Sequence, residues 1–365
     1  MMRYVRGMLA ALAFSSPAYA LEGEAWDGHF PFVVQIFSDY GDGIQWPCSS
    51  SVIDGGLVVT AAHCVMRPTI RTENGREIVA INLAQAVRVK YVDRHGVESA
   101  TNAVRATWEP AMPRYLAVWL GMPRPQEDDP SDTQKAKTRA LNGMFAQFAP
   151  MDVAYLVTER YIDLKVYAHS VLDLMGPITK SMSNKRDWAL TSEAIEAAEK
   201  IFWKRFDRTL SENVVVGFGG HGCMTPGKLY TCTIDSTRRW SKLSIISGDY
   251  LNGTSVSTDG SSRSQASPPP YRVPWVWQAG PGSNGTNPTV GGDSGGPLLL
   301  MSNTKKKKWF HVGTTSGWTG YASTHASLLS APYAWWQAVS SPQYQILKIL
   351  QDEARRSATG KARMR

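Results

Sequence analysis

The sequence has few cysteines, little net charge on its main body and no long hydrophobic run after its first twenty residues. It has four cysteines in 365 residues, and none forms the Cys-x-x-Cys pair of a zinc ribbon, which argues against a metal site. No later segment approaches the roughly 20 apolar residues of a transmembrane helix, which excludes stable membrane insertion. A content of 43% hydrophobic residues is ordinary for a folded globular protein.

The first twenty residues have the pattern of a cleaved secretory signal. Arg3 and Arg6 give a basic start, an apolar stretch follows at 8–14, and positions 18–20 read Ala-Tyr-Ala. The apolar stretch is too short to span a bilayer. We therefore expect 1–20 to be removed and the mature protein to be secreted or periplasmic, where disulfides can form.

The net charge of +8 lies mainly at the two ends of the chain. Loss of the leader leaves +6, and the segment 348–365, with six basic and two acidic side chains, carries +4 of that. The body is left with about +2, too little to indicate a nucleic-acid surface. A role for the tail in DNA binding would predict salt-sensitive binding that is lost on truncation after Leu347. We expect a solvated tail and no nucleic-acid partner.

Short β-branched runs separated by glycine and aspartate turns predict an all-β fold of antiparallel strands. The runs lie at 32–36, 51–53, 57–59, 213–218, 298–300 and 309–312. Three stretches interrupt this pattern: 110–150, with a short helix expected at 136–148; an amphipathic helix at 188–206; and a Ser, Gly and Pro-rich loop at 255–288. A final helix is expected over 332–350, with a break near Pro342, before the basic tail frays.

Two short strings carry residues that suit acyl transfer. His63 lies in Thr-Ala-Ala-His-Cys at 60–64, and Ser294 lies in Gly-Asp-Ser-Gly-Gly-Pro at 292–297. A serine hydroxyl is a poor nucleophile at neutral pH and attacks an acyl carbon when an adjacent imidazole takes its proton. The two strings together therefore predict a base and a nucleophile.

These strings resemble those of the trypsin and chymotrypsin superfamily of serine endopeptidases. Asp152, in Met-Asp-Val-Ala-Tyr-Leu at 151–156, fits the family's third catalytic member, and the chain order His63, Asp152, Ser294 is the family's order. The gap of 89 residues between His63 and Asp152 is about twice that of compact members, and the inserted stretch 110–150 accounts for the surplus. Asp128 and Asp129 are rival candidates, although they lie in a Pro-flanked acidic loop.

The resemblance covers most of residues 21–340 and implies a chymotrypsin-like fold. The expected architecture is two antiparallel six-stranded β-barrels with inserted helical and loop segments and a C-terminal helix. The implied division is an N-terminal barrel at 21–170, a linker with the inserted helix at 171–212, a C-terminal barrel at 213–340 and a basic tail at 341–365.

The resemblance also implies roles for the site residues. Asp152 would orient the His63 imidazole, which takes the proton of Ser294, and the N–H groups of Gly292 and Ser294 would bind the oxyanion. The spacing of Cys48 and Cys64 is the one at which the family closes a disulfide beside its histidine. A second pair, Cys223 with Cys232, has no common family counterpart and is expected to form a disulfide that closes a loop.

Substrate preference and activation are where the chain departs from the family. Trypsin-like members keep an aspartate where this chain has Pro288, so cleavage after Arg or Lys is not expected, and an apolar or small side chain is the default expectation.

Activation would follow from signal cleavage itself, which would free Leu21 to pair with Asp293, since the family's freed N-terminus pairs with the aspartate before the nucleophile. The residues expected to line the pocket are Pro288, Thr289, Val290, Ser316, Gly317 and Trp318.

The leading hypothesis is an exported serine endopeptidase that acts on polypeptides without a cofactor or metal. The alternative is a catalytically silent relative that binds a protein or a surface through its inserted loops.

Overall fold

The β-branched runs form strands in the computed structural model of the protein. The structure describes residues 24–25, 30–126, 128–171, 213–219, 237–242, 245–249, 276–279, 292–302, 308–318, 323–328 and 332–363. The predicted helix at 188–206 and the predicted leader 1–20 lie outside these ranges, as does most of the predicted loop at 255–288. Within that stretch the loop prediction is wrong at 276–279, where the β-branched and aromatic residues Val276 and Trp277 belong to a strand paired on both sides.

The strands are numbered in chain order. They are β1 (Glu24–Ala25), β2 (Val33–Asp39), β3 (Gln45–Asp54), β4 (Leu57–Thr60), β5 (Met66–Glu73), β6 (Arg76–Leu83), β7 (Ala86–Val92), β8 (Glu98–Trp108), β9 (Ala154–Thr158), β10 (His169–Ser170), β11 (Asn213–Gly217), β12 (Arg239–Lys242), β13 (Ile245–Asp249), β14 (Val276–Ala279), β15 (Pro297–Met301), β16 (Trp309–Trp318) and β17 (Ser323–Ser327).

The helices are α1 (Met112–Gly121), α2 (Ser131–Phe148), α3 (Pro332–Val339) and α4 (Pro342–Arg363), with short 3-10 turns at Ala62–Val65 and Ala149–Met151.

Six strands close into an antiparallel barrel in the order β2-β3-β4-β9-β8-β7. A barrel of this size has room for side chains only, and here apolar residues fill it. Val34, Ile36, Val52, Val58 and Leu156 are all fully buried within this core. The closed barrel is the architecture expected for the N-terminal part of the chain.

The C-terminal strands β11 to β17, joined by β1 and β10, form a nine-stranded sheet. Eight of its strands follow the order β1-β12-β11-β15-β16-β17-β14-β13, and β10 pairs in parallel with β16. Its edge strands β1 and β13 do not pair with each other among the residues that the structure describes. The structure is therefore mostly β with one closed barrel, and the expected second barrel is not confirmed. A continuous core joins the two parts, with Val59 and Tyr155 of the barrel packed in one cluster with Leu298 and Ala326 of the sheet.

The stretch between β8 and β9 is more helical than the sequence pattern predicts. The expected short helix at 136–148 is present but begins earlier, as α2, and α1 precedes it.

Earlier in the chain, β5 and β6 form a separate two-stranded ribbon. The turn between them lies at Asn74 and Gly75, which both have positive φ. This positive φ pair is the turn geometry that suits a two-residue hairpin.

The C-terminal helix breaks at Pro342 as expected, because proline cannot continue the hydrogen bonding of the preceding helix. The expectation that the tail frays after residue 350 is wrong, since α4 continues to Arg363. Tyr344 and Leu347 are buried against the barrel, and this packing anchors the helix. No helix in the described ranges has the length and apolar content needed to cross a membrane.

Candidate active site

The candidate base, His63, is fixed by the barrel and by a disulfide. It lies in the 3-10 turn Ala62–Val65 that follows β4. The disulfide between Cys48 and Cys64 is confirmed, with a Cα–Cα distance of 6.1 Å, and ties this turn to β3. The Ser38 hydroxyl adds a 2.7 Å hydrogen bond to the carbonyl of Cys64. The backbone that carries His63 is therefore held on two sides.

Asp152 lies between the 3-10 turn Ala149–Met151 and β9, and its side chain is fully buried. Its Oδ1 accepts the backbone N–H of His63 at 2.9 Å, and its Oδ2 lies 2.7 Å from Nδ1 of His63. The Ser316 hydroxyl donates to the same Oδ2 at 2.5 Å. An ionised carboxylate is an acceptor only, so His63 carries its proton on Nδ1 and its Nε2 is left as the acceptor.

The electrostatics of His63 combine two opposing effects. Burial lowers the pKa of His63, and the charge of Asp152 and its hydrogen bond raise it, with the net pKa raised above the ordinary value. The side chain is still 27% exposed, so the imidazole can meet a ligand from solvent. The arrangement stabilises an imidazolium once one forms.

The candidate nucleophile lies in a tight loop before β15. Gly292 and Gly295 have φ of 99° and 82°, the left-handed region that glycine adopts without strain. The Gly295 N–H donates to the carbonyl of Thr315 at 2.8 Å, and the Gly296 N–H donates to that of Asp293 at 2.8 Å. At Gly295 a Cβ would lie 2.2 Å from Thr60 Oγ1, so only glycine fits there.

Ser49 of β3 holds the nucleophile loop from the barrel side. Its N–H donates to the carbonyl of Ser294 at 2.8 Å, and its hydroxyl donates to that of Gly292 at 2.7 Å. The same hydroxyl accepts the N–H of Phe218 at 2.8 Å. Ser49 is not predicted from the sequence, where its only signal is its place next to Cys48.

The backbone of Ser294 and the ring of His63 both lie close to the disulfide. The Ser294 carbonyl oxygen is 3.6 Å from Sγ of Cys64, and a ring nitrogen of His63 lies within 4.8 Å of the sulfurs of Cys48 and Cys64. Because both sulfurs are used in the disulfide, this group offers no thiolate to a metal ion. The structure thus brings His63 into contact with Asp152 and places the backbone of Ser294 beside the same turn.

The predicted oxyanion donors lie on this loop. The loop uses the carbonyls of Gly292, Asp293 and Ser294 as acceptors. Among the residues described, no hydrogen bond uses the N–H of Gly292 or of Ser294. An oxyanion hole requires backbone donors that are available in this way and that point to one position.

Asp293 is a fully buried carboxylate that two glycines accommodate. Its Oδ1 accepts the N–H of Gly219 at 2.6 Å. A Cβ at Gly217 or at Gly219 would come within 2.2 or 2.3 Å of its carboxylate oxygens. Leu21, the expected partner of Asp293, lies outside the described residues.

The expected pocket residues are only partly described. Ser316, Gly317 and Trp318 form the end of β16, and Ser316, which was expected to line the pocket, donates a hydrogen bond to Asp152. Gly317 faces the inserted helix, since a Cβ there would be 3.2 Å from the ring of Phe145. Outside the described ranges lie Pro288, Thr289, Val290, Cys223 and Cys232.

The rival carboxylate Asp129 has other partners. It lies at the start of the inserted helix and pairs with Lys137 at 2.6 Å and with the N–H of Gln126 at 2.8 Å. The hydrogen bond to Lys137 contributes most to lowering the pKa of Asp129. Its role is to cap this loop.

Comparison with known proteins gives no matching family model and no matching curated protein. The closed barrel is compatible with a chymotrypsin-like fold. The case for a function therefore depends on the contacts of His63, Asp152 and Ser294.

Proposed function

We propose that the protein is an exported serine endopeptidase of the trypsin and chymotrypsin type. The observation that carries the proposal is the pair of hydrogen bonds, 2.9 and 2.7 Å long, by which the buried Asp152 fixes both the backbone and the imidazole of His63. A carboxylate that sets the tautomer of a partly exposed histidine is the arrangement required of a general base. Ser294, whose carbonyl lies 3.6 Å from the neighbouring Cys64 sulfur, is the proposed nucleophile.

In the proposed reaction the Ser294 hydroxyl attacks the carbonyl carbon of a peptide bond. Its proton passes to Nε2 of His63, and Asp152 stabilises the resulting imidazolium. The developing oxyanion is bound by the N–H groups of Gly292 and Ser294, each worth roughly 3 to 4 kcal/mol of barrier in comparable enzymes. The imidazolium then protonates the leaving amine, and water releases the acyl group by the reverse sequence of proton transfers.

The proposal includes a two-barrel architecture with the site between the parts. The nucleophile loop precedes β15 of the C-terminal sheet, while His63 and Asp152 belong to the closed barrel. Export is proposed from the sequence pattern of 1–20, and the Cys48–Cys64 disulfide is compatible with an oxidising compartment.

The test is covalent labelling of the secreted protein with a fluorophosphonate probe, which reacts with an activated serine. We expect labelling of the wild-type protein that is lost in Ser294→Ala. Ser131→Ala, a change at an exposed serine that begins α2, is the matched control and should label normally. Absence of labelling in a folded, processed sample would refute the enzyme and favour the alternative, a silent relative that binds a partner.

A further inference from the structure

The hydroxyl of Ser49 joins two backbone segments that meet beside the candidate nucleophile. Ser49 is fully buried, and its Oγ accepts the N–H of Phe218 at 2.8 Å. A backbone N–H only donates, so the hydroxyl proton of Ser49 remains for the carbonyl of Gly292, to which it donates at 2.7 Å. The donor and the acceptor in both hydrogen bonds are therefore fixed.

The two segments are in direct contact. Gly292 has a φ of 99°, and a Cβ at this position would lie 3.0 Å from the carbonyl oxygen of Phe218 and 3.3 Å from the Cα of Gly219. The N–H of Gly219 donates to the carboxylate of Asp293 at 2.6 Å. The Phe218–Gly219 backbone is thus held by the side chains of Ser49 and Asp293, and Gly292 packs against it.

Gly292 depends on hydrogen bonds for its orientation because a glycine has no side chain to restrict its own backbone. Both signs of φ are open to it. In the described part of the chain, Ser49 is the one residue that donates to the Gly292 carbonyl. The carbonyl and the N–H of Gly292 share one Cα and two soft dihedral angles, so a hydrogen bond that fixes the carbonyl also restricts the direction of the N–H.

The backbone of Ser49 has a separate role that does not use the side chain. Its N–H donates to the carbonyl of Ser294 at 2.8 Å, and its carbonyl accepts the hydroxyl of Thr60 at 2.9 Å. These two hydrogen bonds hold β3 against the nucleophile loop. A change of the Ser49 side chain therefore separates the orientation of Gly292 from the docking of Ser294.

Loss of the hydroxyl would leave two backbone groups without their hydrogen-bond partner, the N–H of Phe218 and the carbonyl of Gly292. An unpaired buried donor or acceptor is costly, so the backbone gains by turning the Gly292 carbonyl toward another donor or toward water. Such a rotation would also turn the Gly292 N–H. A donor lowers the barrier when it is in place before the charge develops, and the rotated N–H would not be.

We propose that Ser49 is a positioning residue, whose hydroxyl holds Gly292 in the conformation that directs the Gly292 N–H to the oxyanion. This inference rests on the proposed endopeptidase function. Ser49 acts through Gly292 and does not touch the substrate. Loss of its hydroxyl should therefore slow the chemical step and leave ground-state binding of the substrate unchanged.

The test measures acylation by p-nitrophenyl acetate, an activated ester whose acetyl group needs no side-chain pocket. The burst of p-nitrophenol, followed by stopped flow over a range of ester concentrations, gives the acylation rate constant and the Kd of the ester. In Ser49→Ala we expect the rate constant to fall by about tenfold to a hundredfold, less than the loss of about 10²–10³-fold for removal of a complete oxyanion donor. The Kd should stay within about twofold.

Ser50→Ala is the matched control on the same strand. Ser50 is also fully buried, and its hydroxyl donates a 3.1 Å hydrogen bond to the carbonyl of Val34 in the barrel. We expect both alanine variants to unfold at lower urea concentration than the wild-type protein, and Ser50→Ala to keep the wild-type acylation rate constant. A merely structural role for Ser49 would give the same result in both variants, lower stability with an unchanged rate constant.

A second pair of variants decides the question if Ser49→Ala does not fold. Ser49→Thr and Ser49→Val have nearly the same shape and suit a strand, but only threonine keeps the hydroxyl. We expect acylation to be at least about tenfold faster in Ser49→Thr than in Ser49→Val.

Three results would overturn the inference while the proposed function stands. They are a wild-type rate constant in Ser49→Ala, equal rate constants in a folded Ser49→Thr and Ser49→Val pair, and a loss that appears only in the Kd of the ester. A wild-type protein that gives neither a burst nor fluorophosphonate labelling would instead refute the proposed function, and this inference with it.

Discussion

Asp152 is a buried carboxylate that accepts three hydrogen bonds, two from His63 and one from Ser316. A buried charge is tolerated only when it is paired and hydrogen-bonded in this way. Its two oxygens have different partners: Oδ1 accepts the backbone N–H of His63, and Oδ2 accepts hydrogen bonds from the His63 ring and from the Ser316 hydroxyl. The tautomer of His63 therefore depends on the charge of Asp152 rather than on its shape.

Replacing Asp152 by Asn should test this dependence. The shape is kept, but the amide can donate to Nδ1 and favours the tautomer whose Nε2 cannot accept a proton. We expect the rate of reaction with the fluorophosphonate to fall by roughly 10⁴-fold, the loss seen for this change in a comparable triad. Asp129→Asn is the control and should leave the rate unchanged. A fall of less than tenfold in Asp152→Asn would contradict the assigned role.

Two buried histidines should make stability depend on pH. Burial lowers the pKa of His311 and of His325 to about 3, while the unfolded chain binds these protons near pH 6.5. Below pH 6.5 the unfolded state holds more protons, so the free energy of unfolding should fall by about 1.4 kcal/mol per pH unit for each histidine, down to about pH 3. His63 has a raised pKa, so its stabilisation is complete below pH 6.5 and is lost as the pH rises through its folded value.

Together these three histidines place a stability maximum near pH 6.5. Urea unfolding at pH 7, 6, 5 and 4 measures the dependence. His325→Phe should halve the slope between pH 6 and 4, and the exposed His95→Gln should not change it. Equal slopes in the wild-type protein and His325→Phe would show that this ring is not buried as a neutral group.

At the scale of elements, the inserted helix α2 leads directly into the candidate site. It ends at Phe148, and the 3-10 turn Ala149–Met151 connects it to Asp152. Phe148 is buried and packs edge-to-face on Trp119 and Phe145, with ring centroids 5.3 and 5.1 Å apart. The aromatic cluster therefore fixes the end of the helix from which Asp152 begins.

Phe148→Ala should lower the free energy of unfolding by about 3–5 kcal/mol, as expected for a large buried aromatic. It should also slow fluorophosphonate labelling, because the backbone before Asp152 loses its support. Phe145→Ala, at the more exposed ring of the cluster, should cost less. Thermal or urea unfolding combined with the labelling rate measures both effects, and normal labelling in a destabilised Phe148→Ala protein would show that α2 does not position Asp152.

The strands could be predicted more readily than the insertions. Runs such as 57–59 and 298–300 identify buried strands because their β-branched and aliphatic side chains suit a pleated surface. The pairing of Cys48 with Cys64 followed from the family resemblance. Helix α1 was missed because its apolar residues occur among prolines and a glycine. The hydrogen bonds of Ser49 could not be predicted, since a serine in a strand gives no sign of a partner 243 residues away.

At the scale of the whole molecule, α4 joins the C-terminal part of the chain to the closed barrel. The Tyr344 hydroxyl donates to Asp54 at 2.5 Å, and the Gln351 amide donates to Tyr161 at 3.0 Å. Leu347 packs beside Gly56, where a Cβ would lie 3.1 Å away. These contacts all reach the region around the β3–β4 turn, far in sequence from the helix.

Truncation after Val339 should therefore destabilise the whole protein. Burial of Tyr344 and Leu347 contributes about 1.5–3 kcal/mol each, and their loss should lower the melting temperature by about 10 °C. Truncation after Arg356, which keeps these anchors, should lower it by less than about 2 °C. Calorimetry on the two truncated proteins makes the comparison, and equal melting temperatures would show that the buried face of α4 adds no stability.

Strand β1, which follows the predicted signal cleavage site, lies at one edge of the nine-stranded sheet. Glu24 and Ala25 pair with β12, and Arg239 of β12 donates to the carbonyl of Gly219, the residue whose N–H holds Asp293. We predict that the secreted chain begins at Leu21 and that two added residues before Leu21 slow labelling of Ser294 by tenfold or more. Mass spectrometry gives the N-terminus, and labelling gives the rate. Full reactivity of the extended form would refute this activation route.

The long-range hydrogen bonds of Ser49 determine when the candidate site can form during synthesis of the chain. Its hydrogen bonds to Gly292 and Ser294 join residues 243 and 245 positions apart, and Ser316 joins Asp152 over 164 positions. Contacts over such distances form late, because long loops must close first. A nascent chain would thus emerge almost completely before the nucleophile is in place. For the exported peptidase proposed above, this ordering would keep the ribosome-bound precursor inactive in the cell that makes it.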